Sequence, residues 1–278
     1  MTVHDALTNA SARIARRDAE TLLSVALGGE RAWVLAHPEA ELDAAHAETF
    51  FEFVARRDAG EPLQYITGVQ EFYGLELQVT PDVLIPRPET EHLIESVLAW
   101  TATQSGTLRI ADIGTGSGAI AIALAAHLPS AEVIATDISP SALAVARANA
   151  ERLGFGRRIR FVQGDLLSAV DAEIAAGMRF DVVASNPPYI PDGDAAEMQR
   201  EVIAHEPHTA LFAGKFGLDV YQRLIPAAHS ALRDRGLLAM EIGFGQHHAL
   251  EQLLTGWADV RFVDDYASIP RIVLAEKV

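Results

Sequence analysis

The stretch Asp112-Ile113-Gly114-Thr115-Gly116-Ser117-Gly118 decides how the rest of the chain is read. Before it, Leu108 to Ile113 is a short apolar run with the length of a strand. After it, Ala119 to Leu128 is apolar and helix-forming. Glycines between a strand and a helix let the backbone turn sharply and approach a ligand closely. The first turn of the helix that follows offers unpaired N–H groups. Such a turn on its own suits a dinucleotide site, a methyl-donor site or a tight turn with no ligand. The spacing here is Gly-x-Gly-x-Gly, not the Gly-x-Gly-x-x-Gly of the dinucleotide fingerprint, and this favours a methyl-donor site.

Downstream, strand and helix patterns alternate. Ala131 to Ala135 is apolar and leads to Asp137. Pro140 to Leu153 reads as a helix with Pro at its start and Gly154 at its end, the expected capping asymmetry. Ile159 to Val162 leads to Gly164-Asp165, and Phe180 to Ala184 leads to Ser185-Asn186. Asp219 to Leu232 is a helix in which Pro226 is expected to make a kink. Leu237 to Ile242, Val260 to Val263 and Arg271 to Ala275 complete the strands. This alternation implies an α/β fold with a mostly parallel sheet covered on both faces and right-handed crossovers. Ligands then bind outside the carboxyl ends of the strands. Asp112, Asp137, Asp165 and Asn186 each fall at or just after such an end. Asp137 is placed to accept ribose hydroxyls. Its alternative, capping the next helix, falls more naturally to Ser139. Asp165 can meet an adenine edge or be a plain loop carboxylate.

Upstream, the first ~60 residues read as helices, from Asp18 to Leu27 with Gly28-Gly29 as the stop, and from Leu42 to Ala59. Phe50, Phe53 and Val54 on the second form an apolar stripe that reads as core. From Gln64 to Val83 the pattern changes. Ile66-Thr67-Gly68-Val69 and Leu75 to Val79 alternate around Tyr73-Gly74 and predict a β-hairpin. Thr80 to Glu89 is proline-stiffened and is expected to be a hinge, followed by a helix near Glu91 to Thr101. Two domains result: residues 1–80, helical with a hairpin linker, and residues 81–278, carrying the sheet.

Asn186-Pro187-Pro188-Tyr189 carries the chemistry. Two consecutive prolines fix two φ angles and remove two donors, so carbonyl oxygens are held rigidly beside the Asn side chain. Asn186 Oδ1 can accept one hydrogen of a planar NH₂ group and the Pro187 carbonyl the other. Amide and exocyclic amine nitrogens are poor nucleophiles because the lone pair is delocalised, and fixing their orientation is the main catalytic lever. Tyr189 can lie against the substrate plane or near a sulfonium, where a π face favours positive charge. A plain Asn-Pro turn is the alternative. It fits less well downstream of the glycine turn.

Composition narrows the classes. Hydrophobic residues at 49% and charged residues at 22% are ordinary for a globular protein. There is no cysteine, so disulfides, thiolate metal sites and Cys nucleophiles are excluded. The first residues lack the pattern of a signal peptide, and no apolar stretch has the ~18 residues of a membrane span; a cytoplasmic protein without membrane attachment is expected. A net charge of −16 argues against a nucleic-acid substrate. The basic pairs Arg16-Arg17, Arg56-Arg57 and Arg157-Arg158 read as helix or loop ends. His247-His248 are adjacent, so they do not share a helix face, and no metal site is expected.

The glycine turn followed by Asn-Pro-Pro-Tyr resembles the class I methyltransferases that modify planar amino nitrogens, a group that includes adenine-N6 and protein-glutamine N5 enzymes. Further segments resemble the glutamine branch: Glu61-Pro62-Leu63-Gln64-Tyr65-Ile66-Thr67-Gly68, Glu71-Phe72-Tyr73-Gly74-Leu75, Leu84-Ile85-Pro86-Arg87-Pro88-Glu89-Thr90-Glu91, Glu206-Pro207 and Ala210-Leu211-Phe212. Together they cover nearly the whole chain, and the chain is similar to the group that acts on peptide chain release factors. That resemblance implies a Rossmann-like seven-stranded sheet with its last strand antiparallel. It also implies an N-terminal helical domain that recognises the release factor, and methyl transfer from S-adenosylmethionine, leaving S-adenosylhomocysteine, to the glutamine of a Gly-Gly-Gln loop. By motif, Gly114, Thr115, Gly116, Ser117, Gly118, Asp137, Asp165, Leu166 and Asn186 would hold the donor. Asn186, Pro187, Pro188 and Tyr189 would hold the substrate, with Asn186, Pro187 and Tyr189 as the catalytic group. Ribosomal-protein glutamine and adenine-N6 methyltransferases are the alternatives. The family often has Trp where this chain has Leu166, and Asp where it has Phe216. Phe72 suits the donor cavity or the hairpin core equally. Arg87 and Glu89 suit either the target loop or an ion pair that braces the hinge.

Overall fold

A computed structural model describes residues 1–278, the side chain of Glu197 apart, as two compact units. One comprises Met1–Val69 and Gln199–His205, the other Gln70–Met198 and Glu206–Val278.

The first unit is helical. Helices Val3–Ala10, Arg16–Ala26, Arg31–Ala36, Ala44–Asp58 and Leu63–Thr67 are joined by Arg200–His205. Thr2 and Asp5 close a capping box on the first, and Asp43 caps the fourth through His46 N. Leu7, Leu22, Leu23, Phe50 and Val54 meet in one core. Glu20 is buried in this unit because Arg16 and Arg31 donate to its two oxygens at 2.9 and 2.7 Å. Their hydrogen bonds hold its carboxyl below the usual range. Ile66-Thr67, expected as strand, belongs to the helix Leu63–Thr67. Pro62 precedes that helix and Gly68, in the left-handed conformation, ends it. Two alternating residues are too short a sample to separate a strand from one helical turn.

The second unit opens with a hairpin, β1 (Val69–Phe72) and β2 (Leu75–Gln78). Asn149 anchors β2: its Oδ1 accepts from Gln78 N at 2.7 Å, while Nδ2 donates to the Gln78 carbonyl at 2.9 Å and the Ser117 carbonyl at 3.0 Å. The remaining strands are β3 (Arg109–Ile113), β4 (Glu132–Asp137), β5 (Ile159–Gln163), β6 (Phe180–Ser185), β7 (Leu232–Glu241), β8 (Ala258–Asp264) and β9 (Pro270–Glu276). They form one sheet in the order β5-β4-β3-β6-β7-β9-β8. Pairs from β5 to β7 are parallel, whereas β9 runs antiparallel to both β7 and β8. The central strands are buried on both faces, so they read as apolar runs. Helices Glu91–Thr101, Ala119–His127 and Pro140–Arg152 bury apolar side chains in the core on one face, and Asp219–Ala231 does so on the other. This last helix continues through Pro226. Tyr221, Leu224, Ile225, Ala228 and Ala231 bury its apolar stripe and hold it despite the lost backbone bond. Among the described residues, no helix is long and apolar enough to cross a membrane.

The strand order reverses between β3 and β6. To one side the chain proceeds to β4 and β5, to the other to β7. A crevice therefore opens beyond the carboxyl ends of these strands, where the glycine turn, Asp137, Asp165 and Asn186 lie.

Candidate active site

A cavity of about 380 Å³ occupies that crevice. Its floor is the glycine turn, held from β4 by the Thr136 carbonyl, which accepts from both Gly114 N and Thr115 N at 2.9 Å. Asp112 supports the turn from beneath. Its Oδ2 accepts from Thr115 Oγ1 at 2.6 Å and from Ala121 N at 3.0 Å. Its Oδ1 is buried without a partner, and burial pushes the carboxyl up to about 7.

Asp137 lies across the turn. Oδ2 accepts from Gly116 N and Oδ1 from Ser139 N, both at 2.9 Å. The cap of helix Pro140–Arg152 is made by Ser139, whose hydroxyl accepts from Ala142 N at 3.2 Å. Asp137 lines the cavity, and each carboxylate oxygen, with one bond made, retains capacity to accept another. Asp165 forms an ion pair with Arg223 at the cavity edge. Leu166 beside it adopts φ +53°. Ile138, 62% exposed, lies on the same cavity and is an apolar surface that sequence reading did not single out.

Of the expected donor residues, Gly114, Thr115, Gly116, Ser117, Asp137, Asp165, Leu166 and Asn186 line the cavity, as does Pro188. Gly118 is set back against Ile122 and Ala146. Pro187 is buried and Tyr189 half-buried, and neither is among the lining residues. Phe72 is buried in the core with Leu77 and Leu93, so the hairpin-core reading holds for it. Arg87 forms an ion pair, but with Glu206 and not with Glu89.

Behind Asn186 is a polar network that no sequence motif announced. Asn186 Nδ2 donates to Thr90 Oγ1 at 3.1 Å, and the Thr90 hydroxyl donates to Glu241 Oε2 at 2.5 Å. The Tyr189 hydroxyl donates to the other oxygen, Oε1, at 3.1 Å. Glu241, the last residue of β7, is 2% exposed, and burial pushes its carboxyl up to about 7. Burial and the neighbouring Glu241 charge raise the Tyr189 hydroxyl far above its usual range, so it stays a donor. Gln246 braces the same region: Nε2 donates to the Tyr189 carbonyl at 2.9 Å and the Gly217 carbonyl at 3.2 Å. Thr90 and Glu241 were legible only as parts of apolar or motif segments. Nothing in their spacing shows that a crossover unites them.

A mostly parallel sheet in this order, opening at its switch point over a glycine turn, is the fold of the class I methyltransferases, whose methyl donor is S-adenosylmethionine. Residues 104–254 match the methyltransferase domain family and residues 3–68 the PrmC N-terminal domain. The chain belongs to the release factor glutamine methyltransferase family. It is 44% identical over 285 residues, 99% of this chain and 98% of the relative, to the release factor glutamine methyltransferase of Moorella thermoacetica. Identity is also 44% to that of Koribacter versatilis, covering 94% of this chain and 91% of the relative. A methyltransferase of solved structure from Pyrococcus furiosus shares the fold, with TM-score 0.52 at 21% identity over 74% of this chain and 90% of that one.

The cavity fits the donor. A Cβ built on Gly114 or Gly116 would meet no atom within 4 Å, so the turn presents bare backbone. Asp137, Ile138, Leu166 and Ala142 line the same cavity, a carboxylate beside apolar side chains, which matches the polar ribose and apolar purine of that donor.

Proposed function

We infer that the protein transfers a methyl group from S-adenosylmethionine to the side-chain amide nitrogen of the glutamine in the Gly-Gly-Gln loop of peptide chain release factors, in the cytoplasm. The observation that carries the reading is the near full-length likeness to release factor glutamine methyltransferases together with Asn186 on the wall of the donor cavity. The bound donor supplies an electrophilic methyl group on a sulfonium. The chain binds it with the Gly114 to Gly118 turn, accepts its ribose hydroxyls on Asp137, and packs its base near Asp165, Leu166 and Ile138.

Asn186 and Pro187 present the glutamine amide. Asn186 has its Nδ2 committed to Thr90, which leaves Oδ1 as the acceptor for one amide hydrogen. The Pro187 carbonyl takes the other. Held this way, the amide plane is fixed and its nitrogen faces the methyl group. Pro188 and Tyr189 complete the substrate side. Tyr189 serves through its hydrogen bond to Glu241, since its hydroxyl points there. The helical unit of residues 1–80 contributes recognition of the factor, and residues 81–278 carry out the transfer. A chain with net charge −16 suits a protein substrate better than a phosphate backbone.

The test uses radiolabelled S-adenosylmethionine with three acceptors: a release factor, the same factor with its loop glutamine replaced by alanine, and adenine-rich DNA. Label on the unaltered factor alone is expected. Label on DNA instead would transfer the chain to the adenine-N6 branch, and label on none of the three would overturn the release factor as substrate.

A further inference from the structure

Glu241 lies outside the Asn-Pro-Pro-Tyr motif and outside the glycine turn, yet both of its oxygens are taken by groups of the substrate side. We propose that Glu241 is a positioning residue that fixes which end of the Asn186 amide faces the substrate, acting through the hydroxyl of Thr90, and that also holds Tyr189 in place. The proposal rests on the reading of Asn186 as the acceptor for the substrate amide.

Hydrogen-bond direction links the three side chains. An ionised carboxylate only accepts. The Thr90 hydroxyl therefore donates to Glu241 at 2.5 Å, and its own oxygen is left to accept. Asn186 can satisfy it only with Nδ2, as found at 3.1 Å. The chain Asn186 Nδ2–H to Thr90 O–H to Glu241 runs one way, and its far end is Asn186 Oδ1, an acceptor. A donor at the position of Glu241 would allow the chain to reverse. Thr90 would then donate to Asn186 Oδ1, and the amide NH₂ would face a substrate NH₂, donor against donor. Glu241 Oε1 accepts from Tyr189 at 3.1 Å in the same way.

The surroundings make the carboxylate responsive to pH. Burial favours its neutral form, and the nearby Glu89 adds to this; the hydroxyls of Thr90 and Tyr189 and the charge of Arg271 oppose it. Tyr221 donates to the Glu241 main-chain carbonyl at 2.8 Å, not to the carboxylate. Arg87 is the remaining charge felt at Tyr189. Protonation of Glu241 turns an obligate acceptor into a group that can donate, and the direction of the chain is then no longer fixed.

The test compares Glu241→Gln, Thr90→Val and Thr90→Ser with the unaltered protein. Asn186 is followed directly by ¹⁵N NMR of its side-chain amide, assigned by its absence from Asn186→Asp. The wild-type signal should titrate near neutral pH, and it should shift and stop titrating in Glu241→Gln and Thr90→Val. Thr90→Ser, which keeps the hydroxyl, should restore it. With a release factor as acceptor, Glu241→Gln and Thr90→Val should lower kcat roughly 10²-fold. The affinity for S-adenosylhomocysteine should be unchanged, and the acid limb of the kcat profile should vanish in Glu241→Gln. An Asn186 signal indifferent to both substitutions would overturn the proposal, as would a kcat loss matched by lost donor affinity or lost folded protein. A wild-type protein that fails to label the release factor would overturn the functional reading alone, and the Asn186 signal would still decide this one.

Discussion

Arg87 Nη2 donates to Glu206 Oε1 at 2.5 Å, joining the proline-rich segment that follows the hairpin to the Glu206-Pro207 segment. Pro86 and Pro207, their neighbours, both line the donor cavity, so this one pair ties two of its walls. The two partners are not equivalent. The Glu206 side chain is 1% exposed and that of Arg87 32%. With Arg87→Met, the buried carboxylate keeps only the long bond from Ile85 N at 3.3 Å. The expected loss is about 3 kcal/mol, the cost of a buried charge left unpaired. With Glu206→Gln, the guanidinium can turn to water, and the loss should be about 1 kcal/mol. Urea unfolding of the two variants checks this, and equal losses would mean that the pair behaves as a surface contact.

Gly116 and Gly118 both have positive φ, +54° and +86°, but a methyl group would do different things at each. A Cβ on Gly116, a residue of the cavity lining, meets nothing within 4 Å. On Gly118 it meets Ile122 Cδ1 at 3.0 Å and Ala146 Cβ at 3.2 Å. Gly116→Ala should weaken S-adenosylhomocysteine at least about tenfold, a loss of ~1.4 kcal/mol in binding, with a stability loss limited to about 1 kcal/mol of backbone strain. Gly118→Ala should cost about 2 kcal/mol or more, because overpacking adds to the strain. Calorimetric titration and thermal melts of the two proteins separate these effects.

The sheet was legible because its code is local. Apolar runs of strand length, a Pro before a helix and a Gly after it, and acidic residues at strand ends appear directly in residues 108 to 186. Ser139 is visible as a cap for the same reason. What was not legible is what the crossovers bring together. Thr90 and Glu241 are 151 positions apart, and their bond exists only because helix Glu91–Thr101 packs beside β7. Arg223 reaches Asp165 across 58 positions. The hairpin was misplaced at its start, where Pro62 and Gly68 delimit a single helical turn. The Tyr189 hydroxyl could not be assigned a direction from sequence, since its partner is a buried carboxylate on another strand.

Asn186 is half-buried and its side chain makes one hydrogen bond, to Thr90. Removing it should leave the fold intact while withdrawing the acceptor proposed for the substrate amide. Asn186→Ala is expected to lower kcat roughly 10²- to 10³-fold, the usual loss when one preorganised polar group is deleted. Donor affinity and melting temperature should change little. Full activity in this variant would remove the amide-orienting role from Asn186.

Two buried carboxyls, Asp112 and Glu241, are both pushed up to about 7, chiefly by burial. A raised folded-state value means that the native protein holds a proton the unfolded chain has released. The stability from each is therefore fully present below its ordinary carboxyl range, from about 4, and is lost as pH rises through about 7. Glu20 and Glu61 act in the opposite sense. Hydrogen bonds from arginines depress them, and their contribution is lost only as pH falls below about 4.5. Between pH 5 and 7 those two are ionised in both states, so the raised pair sets the slope. Stability should decline across that interval with an uptake approaching two protons on folding, and flatten above pH 8. Repulsion within a chain of net charge −16 has the same sign, but it is screened by salt, whereas buried groups are screened far less. Urea unfolding from pH 5 to 8 at low and high salt separates them. Glu241→Gln should remove close to one proton from the linkage at both salt concentrations; a slope that disappears at high salt would assign the effect to surface charge.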